Sequence, residues 1–357
     1  MARLGLGPDW RCLFANDFDP LKAATYCANF HDAADHFHEG DVWALEPDDL
    51  PGAADLAWAS SPCQDFSLAG ARAGLKGGRS SAFFGFWRLV EGLAAQGRAP
   101  RAIVIENVSG LLTSHGGADF TALCTALADM DYRFGALEID AGLFTPQSRP
   151  RVFVVAVRGS VPTEGPSPFH TRAVRAAQAR LPDALRNRWV WWPLSAPARR
   201  NADLASLLEA NAACRWRSAG ETAGLLAMMD TRNRAKVDAL VSAGGRHVGA
   251  VFRRMRAGHQ RAEVRFDGVA GCLRTPRGGS SRQLLLAIED GVIRSRWLTA
   301  REGARLMGLS DTYRLPGAQN PGLHVIGDGV VVPVVRHLAA ELLEPLLDAP
   351  IQIMAAE

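Results

Sequence analysis

Residues 54–67, Ala-Asp-Leu-Ala-Trp-Ala-Ser-Ser-Pro-Cys-Gln-Asp-Phe-Ser, decide the fold. The first half of this stretch is a short apolar run typical of a buried strand. Pro62 ends that strand because proline has no N–H for the ladder. Cys63 is therefore expected on a loop at the carboxyl end of a strand, where open α/β sheets carry their ligand sites. A lone cysteine is more often a small buried hydrophobic residue, so this position decides little by itself.

A second apolar run, Arg101-Ala-Ile-Val-Ile-Glu-Asn-Val108, repeats the same design further along the chain. It predicts another strand, whose end delivers Glu106 and Asn107. If the two strands are neighbours, a thiol and a carboxyl face one pocket. We predict an α/β fold with a Rossmann-like, doubly wound, mostly parallel sheet. Its strands are predicted at 11–15, 54–60, 102–105 and 151–157, with helices at 80–95 and 116–130.

The order of these motifs along the chain points to one family. Pro62-Cys63-Gln64, then Glu106-Asn-Val108, then Gln147-Ser-Arg149-Pro-Arg151 resembles the bacterial cytosine-5 DNA methyltransferases. The resemblance implies that the Cys63 thiolate attacks C6 of a cytosine and that C5 then takes the methyl group of S-adenosylmethionine. It further implies that Glu106 donates to N3 and that Asn107 holds its loop. Arg149 and Arg151 would brace the carboxylate and the cytosine O2.

The residue types suit this chemistry independently of the resemblance. Attack on an aromatic ring needs a soft nucleophile and a ring activated by protonation, and nearby arginines favour the thiolate. Without Glu106 the Cys63 thiol should react only very slowly with the cytosine ring. The alternative is that Arg149 and Arg151 are merely solvated strand ends.

The resemblance also implies a pocket for S-adenosylmethionine. Asp17 follows a predicted strand, the place where nucleotide-binding folds carry the acid that holds ribose hydroxyls. Asp17 would hold the ribose and Phe18 would stack on the adenine. Family members usually carry Asn where this chain has Asp328, which puts one polar contact in doubt. The other cofactor contacts implied by the resemblance are Asp41, Val42, Pro62, Leu75, Asp328 and Val330.

The family begins with a strand and a Phe-x-Gly-x-Gly loop, which should precede residues such as Ala2-Arg-Leu-Gly-Leu-Gly7. Because the sequence begins at Met1, we expect that the start was set too far downstream and omits roughly 10–20 residues. A decayed copy is the alternative. As written, the chain should bind its cofactor poorly and expose a sheet edge or gap.

Composition limits the class of protein. A length of 357 residues with 48% hydrophobic side chains is ample for a core. There is no run of 18 apolar residues and no basic leader, so we expect neither a membrane protein nor a secreted one. The six cysteines form no Cys-x-x-Cys pair, which favours a reducing cytoplasm and argues against a zinc site. His31, His36 and His38 are expected to be solvated, so no metal is predicted.

The distribution of charge and the pattern of strands and helices both change along the chain. Residues 1–60 carry 3 basic and 11 acidic side chains, so the net positive charge lies further on, where a polyanion would approach. After residue 158 the alternation of strands and helices is lost, at the place where the family inserts its target-recognition domain. We predict a catalytic domain at 1–158, a target-recognition domain at 159–265 that reads base edges, and a second catalytic part at 266–357. Two or more of Trp189, Trp191 and Trp192 should fill a small core.

The sequence therefore predicts a DNA cytosine-5 methyltransferase that is cytoplasmic and monomeric. It would bind double-stranded DNA and S-adenosylmethionine, with a cognate restriction endonuclease as a candidate partner. One alternative is an RNA cytosine-5 methyltransferase with the same pocket, against which the long arginine-rich insert argues. The other is a catalytically inactive DNA-binding remnant.

Overall fold

The computed structural model describes residues 1–60, 82–159, 161, 164–200, 202–210, 214–256, 258–276 and 282–348. The strands are β1 (Ala15–Asp17), β2 (Phe37–Glu39), β3 (Leu56–Ala59), β4 (Ala102–Val108), β5 (Tyr132–Asp140), β6 (Pro150–Arg158), β7 (Arg246–Arg256), β8 (His259–Arg265), β9 (Leu284–Glu289) and β10 (Val292–Trp297). The helices are α1 (Ala2–Leu6), α2 (Pro20–Asn29), α3 (Ala82–Ala95), α4 (Ala118–Asp129), α5 (Arg172–Arg180), α6 (Asp183–Arg186), α7 (Ala219–Ala227), α8 (Thr231–Ala243), α9 (Ala300–Leu306), α10 (Gln319–Gly327), α11 (Val332–Leu338) and α12 (Glu344–Asp348). Among these helices, none has the length and apolar character needed to cross a membrane.

The main sheet has the strand order β3-β4-β6-β5. β3 and β4 are parallel, whereas β6 is antiparallel to both β4 and β5. Three of the four strands share one direction, but only one of the three neighbouring pairs is parallel, so the sheet is mixed. The predicted α/β class is confirmed. The strands predicted at 54–60, 102–105 and 151–157 and the two predicted helices are all present. The strand predicted at 11–15 lies at Ala15–Asp17 instead, and β5 was not predicted.

Both faces of the main sheet are covered, because alternate side chains of each strand point to opposite faces. On one face, Ala102 and Val104 of β4 belong to a core that includes α9, α10 and α11. On the other face, Ile103 and Ile105 pack with α3 and α4. Burial on both faces explains why β4 is an unbroken apolar run in the sequence.

β1 and β2 form a separate, two-stranded parallel sheet in which Ala15 lies opposite Phe37. Among the described strands, β3 pairs with β4 alone, so its other edge carries no ladder.

A second, antiparallel sheet has the order β10-β9-β7-β8. Helices α7 and α8 cover one face, where Leu225 and Val237 pack against Val251 and Leu286 in a separate core. The predicted domain boundary between residues 265 and 266 falls between β8 and β9, which are strands of this one sheet.

The tryptophans after α6 belong to the main sheet. The Val190 N–H donates to the Phe134 carbonyl at 2.7 Å, so this segment extends the β5 edge. Trp192 is fully buried and Trp189 nearly so. The expectation that at least two of the tryptophans are core residues is confirmed, but they join the two cores of the main sheet and not a separate small one.

The two ends of the described chain meet. Helix α1 packs on α11 so closely that a Cβ at Gly5 would collide with Val335. The Trp10 indole N–H donates to Glu344 Oε1 at 2.9 Å. The last part of the described chain therefore packs against its beginning.

Candidate active site and nucleic-acid cleft

The carboxyl end of β4 and the beginning of β6 build the centre of the site. β4 delivers Glu106 and Asn107, and the antiparallel register places Val108 opposite Arg151. Arg151 Nε lies 3.1 Å from Glu106 Oε1, and both side chains are largely buried. The predicted pairing of an arginine with this carboxylate is thus present in the structure.

The Glu106 carboxyl lies in a poorly solvated position. Burial raises the pKa of Glu106, although the charges of Arg151 and Arg149 and a hydrogen bond from Ser60 oppose the rise. A carboxyl whose pKa is raised keeps its proton at higher pH and can donate that proton to a bound nucleobase. Ser60 follows β3 directly, so the end of β3 lies beside this carboxyl.

The predicted nucleophile Cys63 lies outside the described residues, as do Pro62 and Leu75. Asn107 is described and buried, and its side-chain oxygen accepts the N–H of Val108 at 2.9 Å. This contact is made to the next residue of β4, and the role of Asn107 in holding its loop stays a prediction.

Arg149 takes a different position from the one expected. Its Nη1 donates to the Leu273 carbonyl at 2.8 Å, and its Nη2 donates to the carbonyls of Gly327 and Gly329 at 3.1 and 2.7 Å. The side chain is 3% exposed, so it is neither a solvated strand end nor a direct brace of the carboxylate. Arg149 therefore joins the beginning of β6 to the segments that contain Leu273 and Gly327–Gly329. It acts on Glu106 only through its charge.

Two residues of the site had no role assigned from the sequence. Gln147 is fully buried; its amide donates to the Leu306 carbonyl at 3.0 Å and accepts from the Leu273 N–H at 3.1 Å. Cys272 Sγ lies 3.4 Å from Arg149 Nη1 and 3.9 Å from Arg151 Nη2. The Gln-x-Arg-x-Arg spacing was a signal for Gln147, whereas nothing in the sequence marked Cys272.

The predicted cofactor residues of the amino-terminal part lie at strand ends and surface turns. Asp17 ends β1 and accepts the Asp19 N–H at 3.0 Å. The Phe18 ring is 73% exposed. Asp41 accepts the Trp43 N–H at 3.0 Å, and a Cβ at Gly85 would come within 2.6 Å of Val42, so this turn packs on α3.

The carboxyl-terminal cofactor residues approach the same region. Asp328 pairs with Lys22 at 2.9 Å, and His324 Nε2 lies 2.8 Å from Asp19 Oδ2, so the end of α10 lies against the beginning of α2. Val330 is buried in the main core. An exposed ring beside a carboxylate fits the adenine and ribose of S-adenosylmethionine, since an adenine needs a flat apolar surface and ribose hydroxyls need acceptors.

A cleft of about 840 Å³ lies between the ends of β4 and β6 that carry Glu106 and Arg151 and the second sheet. Val108, Ser109 and Arg151 line the cleft on the side of β4 and β6, and Cys272 also lines it. Its charged residues are Arg151, Arg232, Lys236, Arg254, Arg265, Arg274, Asp230 and Glu263. Six basic groups against two acidic ones make the cleft a binding surface for a polyanion.

Solved structures of methyltransferases share this fold. The chain aligns with an S. pombe Dnmt2 methyltransferase at a TM-score of 0.54 and 17% identity, covering 94% of this chain and 91% of the other. It aligns with a putative DNA modification methyltransferase encoded within an E. coli prophage at a TM-score of 0.52 and 18% identity, covering 98% and 95%.

The profile of the C-5 cytosine-specific DNA methylases matches residues 2–344, and the chain belongs to this family. A type II methyltransferase of Haemophilus parahaemolyticus, M.HhaI, is 23% identical over 332 residues, covering 92% of this chain and 86% of the relative. An orphan methyltransferase of Bacillus phage rho11s, M.Rho11sI, is 30% identical over 154 residues, which span 29% of its length. The predicted family is confirmed.

Proposed function

We propose that this protein transfers a methyl group from S-adenosylmethionine to C5 of a cytosine that has been rotated out of duplex DNA. The observation that carries the proposal is the buried Glu106 carboxyl, which Arg151 holds at 3.1 Å beside a basic cleft. Extrusion of a base costs a few kcal/mol, which contacts in such a cleft must offset.

The reaction follows from the residues of the site. The Cys63 thiolate forms a bond to C6 while Glu106 gives a proton to N3, so that electron density moves to C5. S-adenosylmethionine would supply an electrophilic methyl group to C5 and leave as S-adenosylhomocysteine when the methyl–sulfur bond breaks. Loss of the C5 proton to a base then expels the Cys63 thiolate, and return of the N3 proton to the Glu106 carboxylate restores the neutral aromatic ring. Arg151 orients the Glu106 carboxyl, and Asp17 and Phe18 hold the ribose and adenine of the donor.

The second sheet with α7 and α8 would read the DNA sequence. β7, β8 and α8 supply Arg254, Arg265, Arg232 and Lys236 to the cleft wall that faces the catalytic edge. Since β9 and β10 complete this sheet, we propose that the recognition unit continues through Trp297, beyond the predicted boundary at residue 265. A cytoplasmic location would keep the Cys63 thiol reduced. The cognate endonuclease and the monomeric state stay predictions.

The test is transfer of tritium from labelled S-adenosylmethionine to duplex DNA and, separately, to tRNA. Label on DNA that is abolished in Cys63→Ala supports the proposal, and label on tRNA alone would establish the RNA enzyme instead. DNA binding without transfer to either substrate would favour the inactive remnant. The expectation of a start set too far downstream is tested by repeating the assay with a form extended upstream of Met1.

A further inference from the structure

Cys272 lies where the segment between β8 and β9 meets the buried pair of Arg151 and Glu106. Its Sγ lies 3.9 Å from Arg151 Nη2 and 3.4 Å from Arg149 Nη1. Its own S–H donates to the Leu273 carbonyl at 3.5 Å, which leaves the sulfur as an acceptor for the two guanidinium groups. A thiol sulfur is a weak acceptor, but both donors are charged, and a charged donor strengthens the contact.

Hydrogen bonds hold the segment that carries the thiol against the residues that precede β6. The Ala270 N–H donates to the Pro146 carbonyl at 2.8 Å, and the Ser148 N–H donates to the Ala270 carbonyl at 3.0 Å. The Leu273 N–H donates to the side-chain oxygen of Gln147 at 3.1 Å. The thiol lies between these contacts, which fix its position relative to the beginning of β6.

The Arg151 guanidinium directs its three nitrogens to three different groups. Nε pairs with Glu106 Oε1 at 3.1 Å, and Nη1 donates to the carbonyl of the preceding residue, Pro150, at 2.8 Å. Nη2 points to Cys272 Sγ. Since Pro150 adjoins Arg151 in the sequence, Cys272 is the contact that holds the guanidinium from a separate part of the chain. All three nitrogens lie in one rigid plane, so a change at the thiol alters the position of Nε relative to the Glu106 carboxyl.

The orientation of Arg151 affects the acid directly. The charged groups that act on Glu106 are Arg151 and Arg149, which oppose the rise of its pKa caused by burial, and Ser60 adds a hydrogen bond. Cys272 and Arg151 also both line the cleft, so the thiol lies on the surface that a substrate would meet. The contact between the thiol and Arg151 is therefore placed to act on the acid and not only on folding.

We propose that Cys272 is a positioning residue, whose thiol orients the Arg151 guanidinium and, through it, the Glu106 carboxyl that protonates the cytosine. The inference rests on the proposed function for the role of Glu106. The effect of the thiol on the Arg151 and Glu106 pair can be measured without any methyl transfer.

The experiment compares wild type with Cys272→Ala, which removes the acceptor, and Cys272→Ser, which replaces the sulfur with an oxygen acceptor. Nuclear magnetic resonance follows the titration of the glutamate carboxyls in isotopically labelled protein, and Glu106→Gln identifies the Glu106 resonance. Cys272→Ala should raise the pKa of Glu106, because a less ordered Arg151 stabilises the carboxylate less. Cys272→Ser should titrate like wild type.

Single-turnover transfer of labelled methyl to duplex DNA gives the second readout. Cys272→Ala should lower the rate by about 2- to 10-fold, the size expected for one lost hydrogen bond, while the dissociation constant for DNA stays nearly constant. The alkaline limb of its pH–rate profile should move to higher pH with the pKa of Glu106. Cys272→Ser should restore both the rate and the profile.

Cys27→Ala is the matched control, because Cys27 is an exposed free thiol on α2. Thermal melting checks that each variant is folded. A folded Cys272→Ala protein with the wild-type titration of Glu106 or the wild-type rate would overturn the positioning role, as would a serine variant that behaves like the alanine variant. If the titration shifts as expected but even the wild type transfers no methyl group, the effect of Cys272 on Arg151 and Glu106 stands and the proposed activity fails.

Discussion

Replacement of Glu106 by glutamine tests the centre of the proposed mechanism. Glutamine has nearly the same shape and can still accept a hydrogen bond from Ser60, but it cannot transfer a proton. General acid catalysis typically contributes 10²- to 10⁴-fold, so the rate of methyl transfer should fall by this factor, which is about 3–5 kcal/mol of transition-state stabilisation. DNA affinity should stay nearly constant, because Glu106 is buried at the end of β4.

The sign of the pH dependence follows from the raised pKa of Glu106. The protonated carboxyl is the donor, so this group's contribution to the rate falls as pH rises through its folded-state pKa, which lies above the ordinary 4.5. Glu106→Gln should lack this dependence. The same shift makes the wild type lose folding stability relative to the variant as pH rises from the unfolded-state pKa to the folded-state pKa.

The assay is single-turnover transfer of labelled methyl to duplex DNA as a function of pH. Glu164→Gln is the matched control, since this glutamate is exposed and pairs with Arg133 far from the cleft. A folded Glu106→Gln protein that transfers within about threefold of the wild-type rate would refute the role of Glu106 as proton donor.

Three further substitutions test other parts of the molecule. Phe18→Ala should raise the KM for S-adenosylmethionine about 2- to 10-fold while changing stability by less than about 0.5 kcal/mol, because the ring is exposed; an unchanged KM would exclude stacking on the adenine. Glu302→Gln should lower the free energy of unfolding by about 3–5 kcal/mol in chemical denaturation, because both oxygens of this buried carboxylate pair with Arg296; a loss below about 1 kcal/mol would contradict this. Arg149→Met should cost about 1–3 kcal/mol for each carbonyl left unsatisfied and lower the melting temperature, whereas an unchanged melting temperature would contradict its structural role.

The local parts of this molecule could be predicted from the sequence. β4 is buried on both faces, so its apolar run predicted both the strand and the delivery of Glu106 and Asn107 to its end. Thr299 and Glu302 form a capping box at the beginning of α9, a helix-start pattern that can be recognised in a sequence. β5 was missed because Arg133, Gly135 and Glu138 interrupt its apolar residues.

The long-range parts could not be predicted. Arg149 was expected beside the carboxylate, but its partners lie more than a hundred residues away, in segments that only the folded chain brings together. Cys272 lies beside Arg149 and Arg151 for the same reason, because the folded chain brings residue 272 back to the beginning of β6. The pairing of β9 with β7 could not be predicted, because residues 257–283 separate the two strands along the chain.

The three carbonyl contacts of Arg149 have a consequence for synthesis of the protein. A nascent chain that has reached only β6 possesses Glu106 and Arg151 but lacks Leu273, Gly327 and Gly329, which hold Arg149. The buried guanidinium can be satisfied only after about nine-tenths of the chain has left the ribosome, because domains fold as their residues emerge. The contacts that hold Arg149 at the beginning of β6 therefore form late. An incomplete polypeptide released before Gly327 should not acquire a finished active site.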